Sequence, residues 1–298
     1  MPGMPSINHD RCTLCGECIK DCPRQILGVN DKKIAVTADN CMLCAHCHAV
    51  CPEDAVTFPR EILREAAFRS FASSDKATAP GEGDPGALVA AVRSRRSVRR
   101  YKDLPVARET LDDIVEFAAT APSGTNYRAW EFSVVNGKGG VAELAGMIRA
   151  FYERLNRMAK NPATRYLSVL FAGKKLLKYY RDRLPRIEHM MAEARRGKDM
   201  FLWGAPAAIV VHSRMDGSTP VEDAQFASYN ATLLAHSLGL GSCYIGYARE
   251  AINRDRNIRA FLKIPEGNTA HAVVVLGWPA VNYPRLPLMK SYPSSHIG

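Results

Sequence analysis

The sequence predicts a small cysteine-bound module followed by a larger α+β domain, and three observations predict it. Residues 12–52 carry the pattern C-x2-C-x2-C-x3-C-P twice in register, first from Cys12 to Pro23 and again, 29 positions on, from Cys41 to Pro52. Residues 73–86 are then small, polar and rich in glycine and proline, a composition that reads as a linker. Beyond it, helical patterns alternate with short apolar runs such as those at 130–135 and 207–212, with no glycine-rich dinucleotide fingerprint behind a strand. The 298 residues suffice for a small module and one domain with a full-sized core.

A cubane iron–sulfur cluster needs four thiolates converging on one small box, and three cysteines spaced by two residues wrap a loop around three of its corners. The fourth ligand comes from elsewhere. A disulfide framework would require an oxidising compartment, and two zinc sites would not explain a duplicated three-plus-one spacing that ends in proline both times. The stretch resembles a bacterial 2[4Fe-4S] ferredoxin. That resemblance implies that the cysteine before each proline crosses to the other cluster, so that Cys12, Cys15, Cys18 and Cys51 hold one and Cys41, Cys44, Cys47 and Cys22 the other. His46 and His48 lie among these ligands and are read as supporting or exposed, since the cysteines already complete both sets.

Composition is that of an ordinary globular protein, 47% hydrophobic and 23% charged. Eight of nine cysteines fall in the first 51 residues and only Cys243 lies outside, which argues against disulfides in the main body. The opening residues show no basic-then-apolar leader and the apolar runs are too short to span a bilayer, so a reducing cytoplasm and no membrane partner are expected. Net charge is +10 with cysteines counted neutral. Two oxidised clusters with their thiolates carry about −2 each and bring the total to about +6. The remaining excess suits an anionic cofactor and acidic redox partners. No nucleic-acid-binding motif stands in the right context, and no nucleic-acid partner is expected.

Taken in order, residues 1–60 form the cluster module, with a hairpin signal at Asn30-Asp31 between two short apolar runs. Residues 61–86 are expected as a short amphipathic helix, 61–71, and the flexible linker, and residues 87–298 as the second domain. Asp84-Pro85 starts a helix carrying Leu88, Val89 and Val92, and a second helix is expected from about Thr110 to Ala119. A turn at 121–126 leads into a strand at 130–135. Helical material dominates to about residue 202, and a strand follows at 207–212. A helix beginning at Pro220 carries the small stripe Ala224, Ala227 and Ala231 with Leu234 and Leu238, suited to close packing in the core or across a dimer. Strands at about 242–247 and 271–276 bracket a last helix.

Four pieces now occur in one order: Arg95-Arg96-Ser97-x-Arg99-x-Tyr101; Ala121-Pro-Ser-Gly-x-Asn126; Gly239-Leu-Gly-Ser-Cys-Tyr-Ile-Gly246; and Leu276-Gly-Trp-Pro279 followed by Arg285-x-Pro287. In order and spacing, residues 86–290 resemble the nitroreductase-fold flavoproteins. The resemblance implies an α+β nitroreductase-like fold that binds FMN, with a central mixed sheet flanked by helices and a homodimer as the assembly. It implies further that Arg95 and Arg285 hold the FMN phosphate with Arg96 on the same side. Ser97 would touch phosphate or ribityl, and Arg99 would face the N1/O2 edge. Gly246 would offer its N–H near N5 beside Ile245, and the loop of Pro122, Ser123, Gly124 and Asn126 would arrive from the other subunit. Arg128-Ala129-Trp130 departs from the Gln-Pro-Trp that often follows this loop. Tyr166, Phe171, Tyr179, Tyr180, Phe201 and Trp203 fall in the segment that commonly covers the flavin. Cys243, His212, His236 and His271 are read as structural.

The chain as a whole resembles a ferredoxin fused to a nitroreductase. An FMN-dependent oxidoreductase is expected, in which two [4Fe-4S] clusters feed single electrons to the flavin and a flat electrophile, a nitroaromatic or a quinone, accepts them in pairs. No side chain is expected as a catalytic acid or base. Reduced ferredoxin or another low-potential donor is the expected source of electrons. The rival readings are a redox relay or sensor that exchanges electrons with a protein partner, and a specialised flavin reaction such as dehalogenation.

Overall fold

The structure is a computed structural model that describes residues 3–74, 76–161, 181 and 183–298. By its contacts the chain divides into two compact units. One is Met1–Ala67 with Pro122–Arg128 and Gly217–Thr219, and the other is Phe68–Ala121, Ala129–Asp216 and Pro220–Gly298.

The first, cysteine-bearing unit is built twice. Strand β1 (Ser6–Ile7) pairs antiparallel with β4 (Val56–Thr57), and β2 (Leu27–Asn30) with β3 (Lys33–Val36). Between them stand two one-turn helices, α1 (Glu17–Lys20) and α2 (His46–Ala49). The 29-residue sequence period reappears in the backbone. Leu14 and Leu43 are left-handed, as are Gly16 and Ala45 just before the helices and Gln25 and Asp54 after them. Left-handed backbone at these points curls each cysteine loop back on itself. The core beneath is small: Ile26, Leu27, Ile34 and Val56 with Cys18 and Cys47. The hairpin turn is Asp31-Lys32, one residue later than the sequence signal, with both φ positive as a two-residue type I′ turn requires. Pairing Asn30 with Lys33 keeps Leu27 and Ile34 on the buried face, and a slip of one residue would turn a strand inside out.

The second, sheet unit is three layers. Its sheet runs β5 (Glu131–Asn136), β6 (Ala207–Ser213), β8 (Thr269–Gly277), β7 (Gly241–Tyr244), and the strand pairs are antiparallel. The parallel component is the bridge Ser97 to Ser242, which adds residue 97 beside β7. Strand β6 is buried at every position, and apolar over Ala207–Val211, because both of its faces are covered. Ala208 and Val210 point into a cluster with α5 (Lys138–Lys160), α6 (Leu184–Arg195), α8 (Gly246–Arg254) and α9 (Arg256–Phe261). Ala207, Ile209 and Val211 point the other way, into a cluster with α4 (Arg108–Ala118) and α7 (Pro220–Ser237). The small stripe of α7 is thereby settled: Ala224, Ala227, Ala231 and Ala235 lie in this core, while Phe226 and Tyr229 on its opposite side remain exposed.

Helix α3 (Pro85–Ser94) starts as its sequence indicates. Asp84 Oδ1 accepts from the amides of Gly86 at 2.8 Å and Ala87 at 3.2 Å, with proline in the first turn. None of its residues is buried, and Leu88 is 63% exposed.

The amphipathic helix expected at 61–71 is not formed: a turn at 60–62 gives way to irregular backbone. The reason lies in Asp113 of α4. Its buried carboxylate accepts from Arg69 N at 2.9 Å, Ser70 N at 2.6 Å and Ser70 Oγ at 2.6 Å, which uses donors a helix would need for its own carbonyls. Phe71 packs on the α4 and α7 cluster beside this clip. Tertiary hydrogen bonding therefore overrides a weak local propensity.

Burial pushes the Asp113 carboxyl up, but the Ser70 hydroxyl and the Ser70 and Arg69 amides outweigh it and hold the group below the usual aspartate range. The clip's stabilisation is complete above the unfolded aspartate pKa and is lost as pH falls through the lower folded value. Asp113→Ala is expected to destabilise the sheet unit by about 2 kcal/mol at neutral pH, with the difference shrinking under acid. Urea melts at pH 7 and pH 3, together with amide exchange at Arg69 and Ser70, check this.

Candidate functional site

Two candidate sites emerge, one in each unit. In the cysteine-bearing unit the structure gathers Cys12, Cys15, Cys18 and Cys51 around one shallow hollow. Cys22, Cys41, Cys44 and Cys47 surround a second. Each set takes its fourth cysteine from the other repeat. Burial pushes the Cys47 thiol up to about 11, and the neighbouring Cys44, Cys22 and Cys41 push in the same direction. Burial likewise raises Cys18, with Cys12, Cys51 and Cys15 adding to it. Four thiolates crowded this way need a polycation to coexist. Among the described residues no three His, Cys, Asp or Glu side chains close to the spacing of a single metal ion. A tetrahedral zinc holds its sulfurs about 2.3 Å away and needs a tighter set than either of these, whereas a polyatomic cluster takes a wider one. The backbone supports the thiols: Leu43 N faces Cys41 Sγ at 3.4 Å and Ala55 N faces Cys51 Sγ at 3.2 Å. His48 bonds through Nδ1 to Val56 O and His46 lies exposed beside Asp21, so neither enters a cysteine set.

In the sheet unit the site forms where the chain leaves α3 and lies against β7. Val98 N donates to Ser242 O at 2.9 Å, and Lys102 N and Ala280 N tie the 97–102 stretch to the residues after β8. Gly241 makes this approach possible, since a Cβ there would stand 2.6–2.8 Å from three Val98 side-chain carbons. Tyr101 Oη donates back to Val98 O at 2.7 Å and locks the turn. The result sets Arg95, Ser97 and Arg99 around Cys243. Burial pushes that thiol up while the Arg99 charge, the Ser97 hydroxyl and the Arg95 charge pull the other way. The thiol stays neutral and inert at physiological pH.

Arg95 caps the end of α3, and its Nε is buried without a hydrogen-bond partner. Among the described residues neither Arg95 nor Arg96, Arg99 or Arg285 has a carboxylate partner. Some other arginines are ion-paired, as Arg154 is with Asp255 and Arg254 with Glu250. Arg95 and Arg99, set beside Cys243 without counter-charge and with one donor already desolvated and unused, have the electrostatic form of an anion site. Ile245 is buried and ends the strand by donating to Val273 O at 2.9 Å; Gly246 then opens α8 with free space where a side chain would stand. Arg285 lies exposed after β8.

Pro122, Ser123, Gly124 and Asn126 are found in the cysteine-bearing unit. Asn126 Nδ2 donates to Met42 O at 3.0 Å and Leu43 O at 2.9 Å. Tyr166, Phe171, Tyr179 and Tyr180 lie outside the described residues, and Phe201 is buried against Tyr152.

Sequence reasoning missed how Trp203 is aimed. Asp199 accepts from the amides of Phe201, Leu202 and Gly204, forming a tight turn that holds Trp203 at φ 62° with the Arg99 guanidinium 5.7 Å from its ring. An aspartate four residues before a tryptophan was the available signal. His212, His236 and His271 are bonded to Ser133, Ser94 and Ser213, and burial holds each below the usual histidine range. They are structural.

Gly241→Ala is expected to cost about 1–3 kcal/mol through overpacking against Val98, read as a lowered melting temperature. Gly246→Ala, with open space at its Cβ, is expected to melt as the parent does.

The model of the nitroreductase family matches residues 92–278, and that of a 4Fe-4S dicluster domain matches residues 4–52. A putative NADH dehydrogenase/NAD(P)H nitroreductase of Methanothermobacter thermautotrophicus is 29% identical over 202 residues, 65% of this chain and 78% of that protein. Its namesake in Archaeoglobus fulgidus is 30% identical over 189 residues, 63% of this chain and 83% of the relative. Among solved structures, a nitroreductase with bound FMN from Desulfitobacterium hafniense shares the fold, with TM-score 0.51 and 24% identity over 70% of this chain and 98% of that one. The chain belongs to the nitroreductase family and carries an N-terminal 4Fe-4S dicluster domain.

Proposed function

We propose that this protein is an iron–sulfur flavoprotein oxidoreductase, in which two [4Fe-4S] clusters deliver electrons to FMN for the reduction of a nitroaromatic- or quinone-like acceptor. The observation that carries the reading is the buried, unpartnered Arg95 Nε, close to Arg99 and without a carboxylate partner, which fits a phosphate monoester. Arg95, Arg96 and Arg285 would hold the FMN phosphate, with Ser97 on the phosphate or ribityl. Arg99, backed by Trp203, would supply positive charge to the N1/O2 edge. Gly246 would present its N–H near N5 with Ile245 packed behind, and Pro122, Ser123, Gly124 and Asn126 would complete the site from a second copy. When bound, FMN supplies exchange between one-electron carriers and a two-electron acceptor, two electrons and two protons from water converting a quinone to a quinol. Cys12, Cys15, Cys18 and Cys51 would hold one cluster and Cys22, Cys41, Cys44 and Cys47 the other.

In this reading residues 1–60 are the ferredoxin domain, 61–86 the connector and 87–298 the FMN domain. A homodimer is supported by α3, which buries none of its residues, and by exposed Leu286, Leu288, Met289 and Tyr292, apolar surface that a second copy would cover. Reduced ferredoxin or another low-potential protein is the electron donor and the compartment is the cytoplasm. Among the described residues no helix is long and apolar enough to cross a membrane.

Arg95→Ala is expected to weaken FMN binding to the apoprotein at least tenfold, measured by quenching of FMN fluorescence. Cys44→Ala combined with Cys47→Ala is expected to lower iron from about eight to about four atoms per chain. Mixing anaerobic protein with reduced ferredoxin tests the reading as a whole. Flavin bleaching that depends on the clusters supports it, and bleaching by NAD(P)H alone, with ferredoxin inert, would reject the proposed electron route.

A further inference from the structure

The Pro122–Arg128 segment lies inside the stretch that matches the nitroreductase family, yet its contacts place it in the cysteine-bearing unit. Thr125, Asn126 and Arg128 hold φ of 53°, 56° and 47°, and none is glycine. Backbone of this kind persists only where its surroundings enforce it. Ser123 does so with both oxygens: its carbonyl accepts from Asn126 N and its hydroxyl from Arg128 N, each at 3.1 Å. Packing adds to this. A Cβ on Gly124 would collide with the Ser218 and Thr219 hydroxyls, and one on Gly217 would stand 2.9 Å from the Tyr127 ring.

The strained loop fixes the direction of one side chain. Asn126 Nδ2 donates to Met42 O at 3.0 Å and to Leu43 O at 2.9 Å. Both partners only accept, so they determine the orientation of the amide and use both of its hydrogens. Met42 and Leu43 are the two residues between Cys41 and Cys44. Their counterparts in the first repeat, Thr13 and Leu14, offer carbonyls that are not taken up in this way among the described residues. The two cysteine sets, alike in sequence, are therefore unlike in surroundings.

We propose that Asn126 is a positioning residue that clasps the Cys41–Cys44 loop, and that the cluster held by Cys22, Cys41, Cys44 and Cys47 is the one from which electrons leave for the nitroreductase domain. This rests on the cluster-to-flavin reading above. A bonded route runs from the Cys41 and Cys44 thiolates through the Met42-Leu43 backbone to Asn126, whose own chain continues into β5. The Cys12, Cys15, Cys18 and Cys51 cluster then lies upstream as the entry. Each transfer removes one electron from the reduced exit cluster, which the low-potential ferredoxin donor replaces by way of the entry cluster. Two such transfers and two protons from water reduce one flavin.

The test uses the holoprotein, anaerobic, with reduced 2[4Fe-4S] ferredoxin as donor. Asn126→Leu keeps the side-chain bulk and removes both donors, and Asn126→Asp is the milder alternative should the leucine disturb folding. Loss of two donated hydrogens beside the loop is expected to lower the midpoint potential and shift the EPR signal of the Cys22, Cys41, Cys44 and Cys47 cluster, with the other cluster unmoved. Flavin bleaching is expected to slow at least tenfold. In parallel, Cys15→Ala and Cys44→Ala each disable one cluster, and dithionite-poised cluster oxidation is followed directly by EPR. Reoxidation of the surviving cluster by flavin is expected in Cys15→Ala and not in Cys44→Ala. The reverse pattern, or wild-type EPR and bleaching in both Asn126 variants, overturns the exit assignment while leaving the relay intact. Wild-type protein whose clusters are never reoxidised by flavin overturns the relay and the assignment together.

Discussion

The pairing of β6 with β8 is the interaction on which the sheet unit depends. Both strands are buried along nearly their whole length because helices cover both faces, so each must be apolar on both sides. Fully burying a valine, leucine or isoleucine side chain contributes about 1.5–3 kcal/mol, and β6 and β8 place seven such residues in the two clusters. That stable pair carries β7 as an edge, and β7 carries the Ser97 bridge. The arginines at 95 and 99 are thus held by backbone bonds to a rigid sheet, although they themselves are polar and partly exposed.

Charge is distributed to a purpose on this frame. Several arginines elsewhere, such as Arg149, Arg196 and Arg254, find carboxylates within a helical turn, and such exposed pairs contribute little to stability. Those beside β7 have none, and one of them has a donor both buried and unused. Leaving a buried donor unpaired costs on the order of 1–3 kcal/mol, a cost that a bound anion offsets.

The cysteine-bearing unit solves a different problem, that of gathering mutually repelling thiolates with little core beneath them. It does so with left-handed turns repeated at the 29-residue period, and in the second repeat Ala45 adopts the conformation that Gly16 adopts freely in the first. The fold of this unit was legible in the sequence because its constraint is local: loop length and cysteine spacing leave few ways to wrap a cluster. The helix starts at Asp84-Pro85 and Pro220 were legible for the same reason, while the helix expected at 61–71 was not formed, because Asp113, some 43 positions away in sequence, takes the Ser70 donors.

The sequence by itself determined the duplicated cysteine spacing and the α+β class, and its resemblance to ferredoxins and nitroreductases implied the crossed cysteine sets and the site arginines. Tertiary structure decided how they are used. Only folding shows that Arg95 Nε lacks a partner, that Asp199 aims Trp203 at Arg99, and that Asn126 bonds to the loop of one cysteine set and not the other. Each of these depends on groups distant in sequence meeting in one geometry, and a hydrogen bond, with its narrow range of distance and angle, has no signature in a linear pattern.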